Sequence, residues 1–146
     1  MQIRKMTIED YDGIYRLWLS TPGMGLNTAD DSKEGIEKYL LRNPETCFVA
    51  QEGGDIIGVI MSGHDGRRGF IYHTAVKTSK RGLGIGSALV EKAMSALERE
   101  GINKAALVVR TTNTLGSSFW EKRGFNVQED VAYRSKNINH LTHINT

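Results

Sequence analysis

The residues from Phe70 to Gly101 constrain this chain more than any other stretch. A short apolar strand, Phe70-Ile71-Tyr72-His73-Thr74-Ala75-Val76, runs into a polar turn, Lys77-Thr78-Ser79-Lys80. Arg81-Gly82-Leu83-Gly84-Ile85-Gly86 follows and opens a helix expected from about Gly84 to Glu100. Glycine at every second position, directly after a strand, removes the Cβ atoms that would keep a ligand off the main chain. Backbone N–H groups can then converge on one point, and the helix N-terminus adds its partial positive charge. Arg81 places a full charge at the rim. The pattern suits a phosphorylated ligand held through main chain; a purely structural glycine turn is the plainer alternative.

Two familiar phosphate loops are excluded by spacing. No run of Gly, four residues and Gly-Lys-Ser/Thr occurs, and the third glycine comes two rather than three residues after the second, as the dinucleotide fingerprint requires. Arg81-Gly82-Leu83-Gly84-Ile85-Gly86 after a strand ending in Ala75-Val76 resembles instead the signature of the GCN5-related N-acetyltransferases, Gln/Arg-x-x-Gly-x-Gly/Ala.

At 146 residues the chain is expected to form one domain, 1–138, with a loose polar tail over 139–146. Its content of 39% hydrophobic and 25% charged residues is that of an ordinary soluble domain. No apolar run nears the ~20 residues of a membrane helix, and Met1 to Lys5 begins no apolar leader, so no membrane role is expected. The single cysteine, Cys47, excludes an intrachain disulfide and fits a cytoplasmic setting; flanked by Phe48-Val49-Ala50 it reads as a buried strand residue. A formal charge of +2, without aromatic and basic residues interleaved, argues against nucleic acid as a partner.

Taken in order, Ile3–Met6 reads as a strand and Thr7 as a helix cap, with Asp10 closing a capping box. Ile14, Leu17 and Trp18 form that helix's core stripe. A loop over Ser20–Ser32 leads to a helix ending near Arg42 before Asn43-Pro44. Strands are expected over 46–51, 55–62 and 70–76, then the long helix, a strand over 105–110, and a helix from Asn113 to about Arg123. A closing hairpin is expected over 125–129 and 132–136. With the resemblance, this order implies an α/β (α+β) fold: a central mixed, mostly antiparallel sheet of about seven strands, splayed between the fourth and fifth and flanked by four helices.

A second motif supports the resemblance. Asn113, Gly116, Phe119 and Trp120 precede Gly124-Phe125, and Asn113, Gly116 and Trp120 share one helix face. In the family that face touches the pantetheine arm of coenzyme A. The resemblance thus implies acetyl-CoA as cofactor, with Thr74, Ala75 and Val76 pairing with pantetheine. The Val76 amide would face the thioester oxygen, and the amides of Arg81, Gly82, Leu83, Gly84, Ile85, Gly86 and Ser87 would take the pyrophosphate. It implies no metal. Where the family usually has a tyrosine acid, this chain has Trp120, whose indole N–H cannot hand over a proton near neutral pH. Val108 stands where ribosomal-protein N-terminal acetyltransferases carry glutamate, which sets the chain outside that subgroup.

The base is open between Tyr72, four residues before Val76, and His73. Strand alternation would put His73 on the opposite face from Tyr72 and Val76, unless a bulge reverses the parity. Asp30 and Asp31 hint at a cationic acceptor but also suit a helix start. The leading reading is an N-acetyltransferase acting on a primary amine, small-molecule or peptide, and compatible with a homodimer. The rival is a non-catalytic acyl-CoA-binding module.

Overall fold

The computed structural model describes residues 1–146. Its main sheet has five strands in the order β1-β3-β4-β5-β6. These are β1 Gln2–Lys5, β3 Phe48–Glu52, β4 Asp55–His64, β5 Gly69–Val76 and β6 Ala105–Ala106. All neighbours run antiparallel except β5 and β6, which are parallel. Two short strands, β2 Leu26–Asn27 and β7 His143–Ile144, form a separate antiparallel pair. Seven strands and four helices therefore form the mixed fold expected.

Helices cover both faces of the sheet. On one face Ile14, Leu17 and Trp18 of α1 (Tyr11–Leu19) and Ile36 and Leu40 of α2 (Lys33–Arg42) pack with Val49, Val59, Met61 and Ala75. On the other, Ile85, Leu89, Val90, Ala93 and Ala96 of α3 (Ile85–Arg99) pack with Phe48, Ala50, Ile57, Ile60 and Ile71. Phe119 and Trp120 of α4 (Thr114–Lys122) join this second cluster together with Phe125. The helical apolar stripes and the alternating strand residues thus close two cores on one sheet.

Three expectations are corrected. The strand expected over 105–110 is reduced to Ala105–Ala106, and the chain leaves the sheet beyond them. The hairpin expected over 125–129 and 132–136 is not formed. Val127, Val131 and Tyr133 are exposed, and a strand pair with no covered face has little to hold it. The tail, expected loose, is docked instead: Leu26 pairs with Ile144, and Thr28 N donates to Thr142 O at 2.9 Å. Leu26 is fully buried, so the pairing closes over the first core. No helix is long and apolar enough to cross a membrane.

The N-terminal capping box forms as read, with Thr7 N donating to Asp10 Oδ2 at 2.9 Å, and a backbone bond from Asp10 N to the Thr7 carbonyl at 3.0 Å closes the same turn. Arg4 grips the same carboxylate through Nη1 at 2.9 Å and Nη2 at 2.7 Å. Burial pushes the Asp10 carboxyl up, but the Arg4 and Thr7 hydrogen bonds outweigh it and hold the group below its ordinary range. Asp10→Asn should cost about 1–3 kcal/mol at pH 7. A depressed folded-state pKa stabilises above the unfolded value near ~3.9, and that stabilisation is lost as pH falls through the folded value. Urea denaturation at neutral and acid pH should show the gap between parent and mutant closing only below about pH 4.

Candidate active site

β5 carries an extra residue relative to β4. Val59 pairs with Ala75 and Met61 with Tyr72, so three steps on β5 oppose two on β4. The bulge centres on His73, whose φ of 41° makes it the one non-glycine residue with positive φ. Such a conformation costs a non-glycine residue roughly 1–2 kcal/mol.

The bulge reverses the side-chain parity. Ile71 packs toward α3 whereas Ala75, four residues on, packs toward α1 and α2. Tyr72 meets Tyr39 of α2 edge-on at 5.9 Å, His73 meets Trp18 of α1 at 5.1 Å, and Val76 packs with the α3 core. The alternation expected from sequence is corrected accordingly: Tyr72 and His73 share the α1/α2 face, and Val76 faces away from both.

Asp31 meets His73 on that face. The carboxylate is buried, at 3% exposure, with Oδ1 2.7 Å from His73 Nε2 and Oδ2 accepting from Asn27 N at 2.8 Å. Tyr11 Oη donates to the Asp31 carbonyl at 2.6 Å, and Trp18 Nε1 donates to the His73 carbonyl at 3.1 Å. Asp31 is therefore a partner for the histidine rather than a dipole residue of α2, whose cap is Ser32. Gly35 seats the segment: a Cβ there would lie 2.4 Å from Asp30 O and 2.5 Å from Ala29 O.

Tyr72 is held protonated at neutral pH: burial raises its pKa, helped by Tyr133 and Asp30 nearby. It can donate a hydrogen bond but is a poor base. Cys47 is equally unsuited to chemistry. It is buried with its thiol on the Ser62 carbonyl at 3.3 Å, and burial pushes its pKa up to about 12. At the far end of β5, His64 and Asp65 close the hairpin. His64 Nδ1 accepts from Gly66 N at 3.0 Å, and Asp65 Oδ1 accepts from Arg67 N and Arg68 N at 2.8 Å each.

The anion cradle lies on the α3 side. Gly82 (φ 79°) and Gly84 (φ 83°) are left-handed, with open space where a Cβ would project. None of the amides from Gly82 to Ser87 donates to another backbone group, as the start of a helix dictates. A phosphate fits these free donors and this open space. Gly86 serves differently, because a Cβ there would press on Phe119 Cε1 at 2.9 Å.

Arg81 Nε donates to the Val76 carbonyl at 3.1 Å, tying the cradle to the end of β5. Arg123, which sequence reading passed over, sits over the Phe119 ring with Cζ 3.7 Å from its centroid. Its Nη2 donates to Ser87 Oγ and its Nη1 to Phe119 O at 2.7 Å, so a second cation stands beside the first turn of α3. Its spacing of four residues from Phe119 was the available signal. Lys80 instead pairs with Glu52 at 2.7 Å.

The second motif lines the same side. Asn113 Oδ1 accepts from Gly116 N at 2.9 Å and caps α4, and a Cβ on Gly116 would collide with that amide at 2.4 Å. Trp120 packs edge-on against Phe119 at 5.1 Å and Phe125 at 5.2 Å. Between the two half-sites β5 pairs with β6 only at Gly69 and Phe70, and from Ile71 to Val76 that edge has no strand partner. Thr74, Ala75 and Val76 lie along this opening.

The model of the Acetyltransferase (GNAT) family matches residues 11–125. An acetyltransferase of Sodalis glossinidius is 32% identical over 138 residues, covering 94% of this chain and 96% of the relative. One of Pectobacterium atrosepticum is 33% identical over 122 residues, 84% of this chain and 85% of the relative. The fold resembles the crystal structure of Ard1 from Thermoplasma volcanium (TM-score 0.77, 24% identity, 87% of this chain and 83% of that one). It also resembles PaiA N-acetyltransferase from Thermoplasma acidophilum in complex with coenzyme A (TM-score 0.75, 23% identity, 88% and 91% covered).

The cradle makes distinct predictions for its parts. Gly84→Val should abolish coenzyme A binding through backbone strain, and Gly86→Val through displacement of Phe119, with a lower melting temperature in the second. Arg81→Ala should weaken coenzyme A roughly ten- to a hundredfold, the worth of a charged hydrogen bond. Thermal-shift titrations of the three folded mutants check this, and parental shifts in all would remove the cradle from the ligand site.

Proposed function

Because this chain belongs to the acetyltransferase (GNAT) family, and with it to the acetyl-CoA-dependent N-acetyltransferases, we propose that it moves the acetyl group to a primary amine by direct transfer in a ternary complex. The observation that carries this reading is the unpartnered edge of β5 between the amide cradle on one face and the Tyr72–His73 bulge on the other. Acetyl-CoA supplies an activated thioester. The chain's residues bind it, orient it and handle protons.

The amides from Gly82 to Ser87 and the charges of Arg81 and Arg123 hold the pyrophosphate. Thr74, Ala75 and Val76 offer main-chain groups to the pantetheine arm along the open edge, and Asn113, Gly116, Phe119 and Trp120 wall its other side. The open β5 edge would let the bound arm reach from the α3 side, where the cradle lies, toward the Tyr72 and His73 side chains on the α1/α2 side, where the amine would enter. The Val76 amide donates to the thioester oxygen, where negative charge develops as the amine attacks. Tyr72, Tyr133 and Asp30 stand at the amine's entrance, aromatic faces beside a carboxylate, a setting that favours a cationic acceptor.

Trp120 supplies no proton to the departing sulfur. A thiol resembling that of cysteine has a pKa near ~8.5, so its thiolate leaves tolerably at neutral pH without an acid. Acid assistance is worth roughly 10² to 10⁴ in rate, and for this leaving group the lower end applies. Trp120→Tyr should keep coenzyme A affinity within a few-fold and hold or raise turnover. Trp120→Ala should weaken coenzyme A and, through its packing on Phe119 and Phe125, lower the melting temperature. An amine-panel screen following free thiol, then kinetics of the three proteins with the best acceptor, tests this. Stabilisation by coenzyme A with no thiol release from any amine would favour the binding module instead.

A further inference from the structure

We infer that Asp31 and His73 form a carboxylate–imidazole pair that deprotonates the acceptor amine, with His73 as the base and Asp31 as its positioning residue. The inference rests on the transferase reading above and deepens it.

The ring nitrogens are differentiated by their surroundings. Nε2 lies 2.7 Å from Asp31 Oδ1, whose other oxygen already accepts from Asn27 N, so an ionised carboxylate requires the hydrogen of neutral His73 on Nε2. The lone pair is then on Nδ1. That atom has no hydrogen-bond partner, and the only buried side-chain nitrogen or oxygen without one in the protein is Arg123 Nε. Nδ1 is therefore not fully buried, and it is the ring nitrogen left free to meet an entering amine.

Its position suits the task. His73 stands three residues before Val76, at most ~10 Å of strand away, on the face opposite the cradle. Left-handed backbone at a non-glycine residue marks a conformation that the surroundings enforce. Here the edge of Trp18, the Trp18 indole on the His73 carbonyl and the buried Asp31 all enforce it. A merely space-filling residue needs no buried carboxylate. The alternatives are weaker: Tyr72 is held protonated, Cys47 is buried, His64 lies at the far end of β5, and Asp30 is engaged by Asn27 Nδ2 at 3.0 Å.

The step balances. The ammonium of the acceptor gives one proton to Nδ1, and the resulting amine forms the C–N bond. As the C–S bond breaks, the sulfur keeps its electron pair and leaves as thiolate, and the new amide nitrogen sheds its second proton. One of these protons is taken up by the thiolate and the other passes from the imidazolium to solvent. Asp31 stabilises the imidazolium while it exists and keeps Nδ1 turned outward. The ionisable groups around the pair are Asp31 and Asp30 ahead of α2, Tyr11 of α1 through the Asp31 carbonyl, Tyr39 of α2, Tyr72 beside His73 on β5, and Tyr133 near Tyr72.

The test uses the full chain and the best amine from the thiol-release screen. His73→Asn and His73→Gly both suit the left-handed backbone. Each should lower kcat by roughly a hundredfold, leave the KM for acetyl-CoA within a few-fold, and remove the acidic limb of the pH–rate profile. Imidazole added to His73→Gly should restore turnover in proportion to its concentration, which a packing role would not produce. Asp31→Asn, a second route should the histidine variants misfold, should lower kcat about tenfold at an unchanged acetyl-CoA KM, less than the roughly hundredfold loss on removing the imidazole because the base itself remains. Histidine variants with parental kcat and parental pH profile, or an Asp31→Asn protein with parental kcat, would overturn the proposal. A parent that binds coenzyme A yet releases no thiol with any amine would overturn the transferase reading, and this proposal with it.

Discussion

The extra residue in β5 is the feature on which the two halves of the site depend. A regular strand would send Tyr72 and Val76 to one face and leave His73 on the other. With the bulge, Tyr72, His73 and Ala75 turn toward α1 and α2 while Ile71 and Val76 turn toward α3. The Val76 side chain and the side chains of Tyr72 and His73 are thereby separated by the thickness of one strand. The strain at His73 is offset by groups from other elements, Trp18 of α1 and Asp31 ahead of α2, so the bulge is a tertiary construction.

The opening beside β5 follows from how little β6 contributes. Pairing stops after Phe70 and Ala106, and beyond it the β5 edge is left without a partner. Unpaired strand edges are ordinarily a liability, blunted by charge or cover. Here the edge ends at Arg81, whose guanidinium bonds the Val76 carbonyl, so the charge that rims the cradle also anchors the edge. A peptide-like arm laid along these free groups would complete the sheet locally, which is the physical content of β-augmentation.

Around the cradle, glycines at alternate positions perform different tasks. Gly82 and Gly84 supply left-handed turns with open space above them, whereas Gly86 lets the Phe119 ring lie against the first turn of α3. Phe119 in turn carries Arg123, which bonds Ser87. The second motif therefore supports the first through an aromatic ring and a cation, and a change at Gly86 is felt at both.

Much of this was determined by sequence alone. The strand, polar turn and glycine-opened helix over 70–101, the capping box of Thr7 and Asp10, and the cap of Asn113 on α4 each depend on residues within a few positions of one another. Local chemistry at those positions has one good solution, so the cradle and the family could be read from them. What the tertiary structure decided is what distant segments do to each other. Asp31 reads locally as a helix-start acid, and the fold brings it to His73 across a sequence separation of 42. The parity of β5 was undecidable because a bulge is set by cross-strand register, not by the strand's own residues. The tail read as loose because its own residues are polar, yet the buried Leu26 gives it a partner strand. The hairpin over 125–136 read as strands from its apolar residues, but a strand forms only where a second surface covers one of its faces, and no local pattern reports whether that surface exists.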